Sequence, residues 1–159
     1  MATVHAKGWR SVEVSILRME LDSLVRVIYL NHRCDSVRRD ELLTRATTPG
    51  IKFGVFDRDM VDFAEGLTGW ARRVYDYSNA FIHLSSQHDY DARDPFQPLD
   101  HDERTAIASY LQQYHGGTVA ANSTFEEVAD YVPKVFDKIA KNLKIELDTL
   151  ERDCASCGG

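Results

Sequence analysis

The sequence predicts an all-α protein, a bundle of four or five helices, on three observations. Apolar side chains recur at steps of three and four residues over long stretches, as they do on the buried face of a helix. Helix-capping patterns precede two of these stretches. The chain has only 4 Pro and 9 Gly among 159 residues, fewer than a turn-rich β-sandwich needs. We therefore expect a single helical domain over residues 1–153, followed by a flexible tail over residues 154–159.

Two helices are predicted in the first part of the chain. The first covers residues 9–32, and the second runs from residue 36 to 46, where the breaker TTPG (residues 47–50) ends it. Residues 51–56 (IKFGVF) are expected to form a loop or one extended segment, too isolated for a sheet. The apolar residues of the first helix share one face: Val14, Leu17, Leu21, Leu24, Val25 and Ile28.

The clearest periodic signal covers residues 57–88. Eight apolar residues there are spaced 3, 4, 3, 4, 3, 4, 3, which predicts one long helix with a continuous buried seam. Gly66 and Gly69 fall inside it and each lowers helix propensity by about 1 kcal/mol, so we expect close packing against another helix there. The seam comprises Met60, Phe63, Leu67, Trp70, Val74, Tyr77, Phe81 and Leu84.

A polar connection over residues 87–99 is too rich in Asp and Pro to be helical. Asp100 and Glu103 then form a capping box that begins a helix ending near Tyr114. The following segment HGG (residues 115–117) stops this helix, as glycine does at a helix end.

The last helix is predicted to begin at Ser123 or Thr124, either of which can cap it. Pro133 lies within its apolar pattern, so we expect a kink there or a break into two pieces. Its predicted buried face consists of Val128, Val132, Val135, Ile139, Leu143, Leu147 and Leu150.

Composition restricts the class of protein and its surroundings. The 25 acidic and 19 basic residues give a net charge of -6, which disfavours nucleic-acid binding through bulk charge but leaves a local basic site open. Three cysteines form no disulfide framework and fit a reducing compartment. No apolar run approaches the roughly 18 residues of a membrane span, and the N-terminus lacks a signal-peptide core. We expect a cytoplasmic protein with no membrane contact.

A polar ribbon opposes the apolar seam of the long predicted helix. At about 100° per residue, its members lie within about 50° of one line. His83 changes charge near neutral pH and can act as a general acid or base, while an arginine can stabilise a developing phosphorane charge. The alternative is the solvated face of an amphipathic helix. The ribbon comprises Arg72, Asp76, Asn79, His83 and Ser86.

Residues 77–85 (YSNAFIHLS), late in the long predicted helix, resemble the motif of the HEPN superfamily. This superfamily comprises α-helical proteins, many of them RNases of toxin–antitoxin and antiviral systems. Its typical motif is an arginine, a polar residue, three further residues and a histidine. Asn79 and His83 match the polar residue and the histidine. The resemblance implies a HEPN-like bundle and a homodimer in which the motifs of two subunits face each other.

The arginine position of the motif is occupied by Ser78, and Arg72 and Arg73 lie farther upstream than the motif allows. The resemblance therefore implies a degenerate, non-catalytic member of a bacterial defence or toxin–antitoxin system, which dimerises or binds a partner protein. The alternative is a metal-independent RNase without a cofactor. In that enzyme His83 is the acid/base, Asn79 positions it, and Arg72 or Arg73 supplies the cation.

Two further clusters each allow more than one interpretation. Tyr110 and Tyr114 with the residues after them can stack on a base, or simply pack and end a helix. A second set of His and Asp residues could bind a metal ion, so a metal-dependent hydrolase is a third hypothesis for the function. The plainer interpretation is that these residues form a solvated acidic loop. This set comprises His83, His88, Asp89, Asp91, Asp94 and His101.

Overall fold

The computed structural model describes residues 1–85, 94, 96, 99–116 and 118–157, with side chains except those of residues 80–85 and 156–157. Within this part every regular element is an α-helix, which confirms the all-α class. The helices outnumber the four or five predicted. They are α1 (Ala2–Ala6), α2 (Arg10–His32), α3 (Ser36–Thr47), α4 (Asp57–Thr68), α5 (Ala71–Ser85), α6 (His101–His115), α7 (Phe125–Ala129) and α8 (Val132–Cys157).

The prediction of a single long helix over residues 57–88 is wrong, because the chain turns at Gly69. Gly69 adopts a left-handed conformation with φ 68° and caps α4, its N–H donating to the Glu65 carbonyl at 2.8 Å. Glycine reaches this region without a Cβ clash, so it ends helices in this way. The Thr68 hydroxyl then accepts the N–H of Ala71, the first residue of α5, at 3.2 Å.

The break also interrupts the predicted seam. Met60, Trp70 and Val74 are buried, but Leu67, in the last turn of α4, is exposed. In a continuous helix Leu67 would lie on the same buried face as the other residues of the seam. The turn at Gly69 ends this spacing before α5 begins. The side chains of Phe81 and Leu84 lie outside the described part of the chain.

The capping signals in the second half are confirmed. Asp100 and Glu103 form the predicted capping box at α6, and Gly116 ends that helix with φ 65°. Thr124 caps α7 in a second box with Glu127. Each box satisfies backbone N–H groups that a helix start leaves without an intrahelical acceptor.

Pro133 coincides with the predicted break of the last helix. Helix α7 ends at Ala129 and α8 begins at Val132, so Pro133 falls in the first turn of α8. A helix start tolerates proline because the missing N–H has no intrahelical acceptor there. Helix α8 extends through Cys157, into the segment predicted as a tail.

The predicted buried faces hold for α2 and for the first half of α8. All six predicted residues of α2 are buried, as are Val132, Val135 and Ile139 of α8. Farther along α8, Leu143 and Leu150 are half-buried and Leu147 is exposed, so the predicted face is wrong at Leu147. Segment 51–56 is a loop, one of the two forms predicted for it.

The chain divides into two compact units, and its assignment as one domain stays a prediction. The first unit comprises Met1–Leu21 and Arg73–Lys138. Its interior holds an aromatic cluster in which the Phe96 ring centre lies 5.9 Å from those of Tyr77 and Phe125.

The second unit comprises Asp22–Arg72 and Ile139–Gly159. In it, Tyr29 meets Phe63 edge-to-face at 5.8 Å between ring centres, and the Asn31 side-chain amide donates to the Glu146 carbonyl at 2.8 Å. None of the described helices combines the length and apolar character that crossing a membrane requires.

Candidate functional site around Asn79

Asn79 of α5 binds an arginine that comes from another helix. Its Oδ1 accepts a hydrogen bond from Nε of Arg18 in α2 at 3.2 Å. The Arg18 guanidinium carbon also lies 4.0 Å from the centre of the Tyr75 ring. Arg18 is only 8% exposed. The contact places a fixed and nearly buried positive charge beside the polar residue of the motif-like segment.

The position of Arg18 within α2 explains its burial. It stands four residues after Val14 and three before Leu21, both fully buried, so it occupies the apolar face of the helix. A buried charge is costly unless other groups replace its hydration. The amide of Asn79 and the face of Tyr75 supply such groups. An arginine inside an apolar seam is the signal in the sequence that could have pointed to this contact.

Ser78 occupies the arginine position of the HEPN-like motif and faces the protein interior. It is fully buried, and its hydroxyl lies 2.8 Å from the Val74 carbonyl and 2.9 Å from the Tyr75 carbonyl of its own helix. A long cationic side chain would not fit this position without displacing the core. The position therefore offers no charge to a ligand.

The histidine of the motif lies only in part within the described residues. Residue 83 belongs to α5, but the His83 side chain and the whole of Ser86 lie outside them. The pairing of Asn79 with His83 stays a prediction that rests on their sequence spacing.

Arg72 and Arg73, the predicted substitute cations, have different surroundings. Within the second unit, the Arg72 guanidinium forms an ion pair with Asp62, and its backbone N–H donates to the Glu65 carboxylate at 2.8 Å. Within the first unit, Arg73 lines a cavity of about 30 Å³ together with Val74 and Tyr110. The cation that contacts Asn79 is instead Arg18, which was not among the predicted site residues.

A buried carboxylate at the start of α2 organises a second polar cluster. Glu13 is fully buried; its Oε1 lies 2.7 Å from His5 Nδ1, and its Oε2 accepts from Arg10 at 3.2 Å. Arg10 also binds Glu126 at 2.8 Å, and this hydrogen bond raises the pKa of Arg10 and lowers that of Glu126. The cluster holds α1, α2 and α7 together and was not foreseen from the sequence.

The aromatic cluster near the end of α6 surrounds a lysine of α8. The Tyr110 and Tyr114 ring centres are 5.1 Å apart, and Nζ of Lys138 lies 3.5 Å from the Tyr114 centre. Burial lowers the pKa of Lys138 to about 8, and burial with the nearby Lys138 charge lowers the pKa of His115. Tyr110 is buried, so packing accounts for it better than base stacking does.

The hypothetical metal site lies mostly outside the described residues, which omit the His83 side chain and residues 88, 89 and 91. Asp94 is described, and its carboxylate accepts the backbone N–H of Phe125, the first residue of α7, at 3.0 Å. His101 is an exposed residue at the start of α6. Where the chain is described, no group of three or more His, Cys, Asp or Glu residues is arranged to hold a metal ion.

Comparison with protein-family models, with curated proteins and with solved structures finds no match to this chain.

Proposed function

We propose that the chain is a HEPN-like helical module that does not cleave RNA and that acts by binding another protein chain, either a second copy or a partner. The setting implied by the HEPN resemblance is a bacterial defence or toxin–antitoxin system. The observation that carries the proposal is Ser78, which is fully buried and hydrogen-bonded within its own helix. An RNase of this type needs an accessible cation next to its histidine, and this position holds none.

A second function, metal-independent RNA cleavage, draws support from the contact between Arg18 and Asn79. In this alternative Arg18 stabilises negative charge on the phosphate, Asn79 orients the site, and His83 transfers a proton. The burial of Arg18 argues against it, because a residue that is only 8% exposed offers little surface to a phosphate. We therefore rank it second.

An RNA cleavage assay separates the two functions. Purified wild-type protein is incubated with single-stranded and structured RNA beside His83→Ala, with His101→Ala as a control at an exposed histidine of α6. We expect wild-type cleavage to equal that of His83→Ala. Cleavage that is lost in His83→Ala but retained in His101→Ala would overturn the non-catalytic proposal and support the RNase.

The binding half of the proposal has its own measurement. The molar mass of the purified protein in solution, alone and after co-expression with the products of neighbouring genes, should exceed the 18.1 kDa of one chain in at least one condition. A single species of 18.1 kDa in every condition would contradict protein binding, whatever the RNA assay shows.

A further inference from the structure

The outer face of α2 in the first unit is apolar where a solvated helix is polar. Val12 and Met19 are 43% and 69% exposed, and Trp9, directly before the helix, is 58% exposed. Ile16 between them is half-buried. These four residues, which we call the α2 stripe, are spaced 3, 4 and 3. This is the spacing by which one helix packs along another.

The α2 stripe is distinct from the face of α2 that packs into its own unit. At about 100° per residue, Val12, Ile16 and Met19 point within about 60° of one another and roughly opposite to the buried Val14, Leu17 and Leu21. Helix α2 is thus apolar on two sides. A helix of this kind is normally buried on both, and an exposed apolar stripe marks an interaction surface.

We propose that the α2 stripe binds the α2 stripe of a second copy of the chain, with the two helices antiparallel. This rests on the proposed function and deepens it by naming the partner and the surface. An antiparallel two-fold arrangement centred beside Val14 sets Trp9 against Met19 and Val12 against Ile16, because both pairs have the same midpoint. The stripe is therefore complementary to itself, as an isologous interface requires.

The charges at the two ends of the α2 stripe favour the same arrangement. Lys7 precedes Trp9 by two residues, and Glu20 directly follows Met19. Antiparallel pairing brings the Lys7 end of one copy beside the Glu20 end of the other, whereas parallel pairing brings like charges together. Opposite charges at the rim set orientation more than affinity.

The size of the stripe indicates a weak dimer. A stable interface buries about 800 Å² on each partner, and four side chains cover only part of that area. We therefore expect association that depends on concentration in the micromolar range or above. Arg18 points away from the α2 stripe, so each Arg18–Asn79 pair remains within its own copy. This differs from the arrangement that the HEPN resemblance implies, in which two motifs face each other.

Sedimentation equilibrium of the wild type, Met19→Glu and Val37→Glu tests the proposal. Val37 of α3 is 78% exposed and controls for adding a carboxylate at an exposed apolar site. The protein concentration is varied over about 1–200 µM, a range suited to weak complexes. Across this range the average molar mass of the wild type and of Val37→Glu should rise from 18.1 kDa towards twice that mass. Met19→Glu should stay at one chain, a loss of at least about tenfold in affinity, with its helical circular dichroism unchanged.

The outcomes separate this surface from the proposed function. A wild-type dimer that persists in both Met19→Glu and Trp9→Ser overturns the α2 stripe but leaves protein binding in place. A wild type whose molar mass stays at that of one chain over the whole range overturns self-association.

The orientation of the two helices is tested by charge exchange. Lys7→Glu and Glu20→Lys should each weaken the dimer severalfold, and the double variant should restore it. Failure to restore overturns the antiparallel arrangement.

Discussion

The Arg18 side chain contacts the amide oxygen of Asn79 and the face of the Tyr75 ring, and both groups partly replace the hydration that its charge loses on burial. Its partner Asn79 is 61 positions away in the sequence. Ser78, next to Asn79, is turned into the interior. Adjacent residues of one helix thus have opposite roles, because a step of about 100° moves a side chain from a polar contact into the core.

Restoring the motif arginine should disrupt the protein rather than activate it. Ser78→Arg inserts a long charged side chain at a fully buried position, which should lower the free energy of unfolding by at least about 3 kcal/mol. For a chain of this size this corresponds to a fall of about 10 °C in the melting temperature. Ser78→Ala should stay within about 1 kcal/mol of wild type. Thermal unfolding followed by circular dichroism measures both, and an Arg variant as stable as the Ala variant would show that Ser78 is accessible.

Lys138 should react with amine reagents with a distinct pH dependence. Its pKa is lowered to about 8 by burial, so its neutral fraction rises only about tenfold between pH 7 and pH 9, against about a hundredfold for an ordinary lysine. Reductive methylation followed by peptide mass spectrometry gives the rate at which each lysine reacts at each pH. The slope of this rate against pH at Lys138 is compared with the slopes at exposed Lys134, Lys141 and Lys144. Because the slope is independent of access, a hundredfold rise at Lys138 would contradict the lowered pKa.

At the scale of single elements, the residues at the helix ends determine where each helix begins and stops more than the residues in its interior do. The capping box at Asp100 is formed by the residues that the sequence indicated, and Thr124, one of the two predicted caps, begins α7. The turn between α4 and α5 depends on one glycine, Gly69, whose left-handed conformation ends α4. The same residue type three positions earlier, Gly66, sits inside α4 without such a role.

Two alanine substitutions, one inside α4 and one at its end, should therefore change the free energy of unfolding in opposite directions. At Gly69, with φ 68°, a Cβ strains the backbone, and Gly69→Ala should destabilise the protein by about 1 kcal/mol. At Gly66 an added Cβ meets no atom within 4 Å, so Gly66→Ala should stabilise it by about 0.5–1 kcal/mol through helix propensity. Urea unfolding at equal ionic strength gives both differences. Equal effects of the same sign would mean that Gly69 does not end the helix.

Across the whole molecule, the charge of -6 and the distribution of arginines work against nucleic-acid binding. Several arginines are already paired with carboxylates: Arg10 with Glu13 and Glu126, Arg38 with Glu41, and Arg39 with Asp153. Ion pairs of this kind reduce the positive potential that a phosphate backbone would meet. This agrees with a module that acts by binding protein.

We expect only weak association with RNA. In about 150 mM salt the dissociation constant for an unstructured RNA should exceed about 10 µM, within or above the range of non-specific binding. Fluorescence anisotropy of a labelled RNA measures it, with a basic RNA-binding protein as the positive control. Submicromolar affinity that falls steeply with added salt would point to a local basic surface and favour the RNase alternative.

Most of the helical elements follow from local sequence, because periodicity and caps act within a few residues. The face of α2, the box at Asp100 and the break at Pro133 were all predictable. The sequence does not identify Gly69 as a helix end, since glycine within a periodic pattern is compatible with both a continuous helix and a turn. Helix α1 was not predicted, and it contributes no buried residue of its own.

The sequence alone determined the all-α class, the main caps and the apolar face of α2, because these depend on neighbours three or four residues apart. Only the tertiary structure decided which cation contacts Asn79, since Arg18 reaches it from a distant part of the chain. The same holds for the burial of Ser78 and for the exposure of the α2 stripe. Each depends on which faces of separate helices are covered, and that is a property of packing between elements rather than of any one segment.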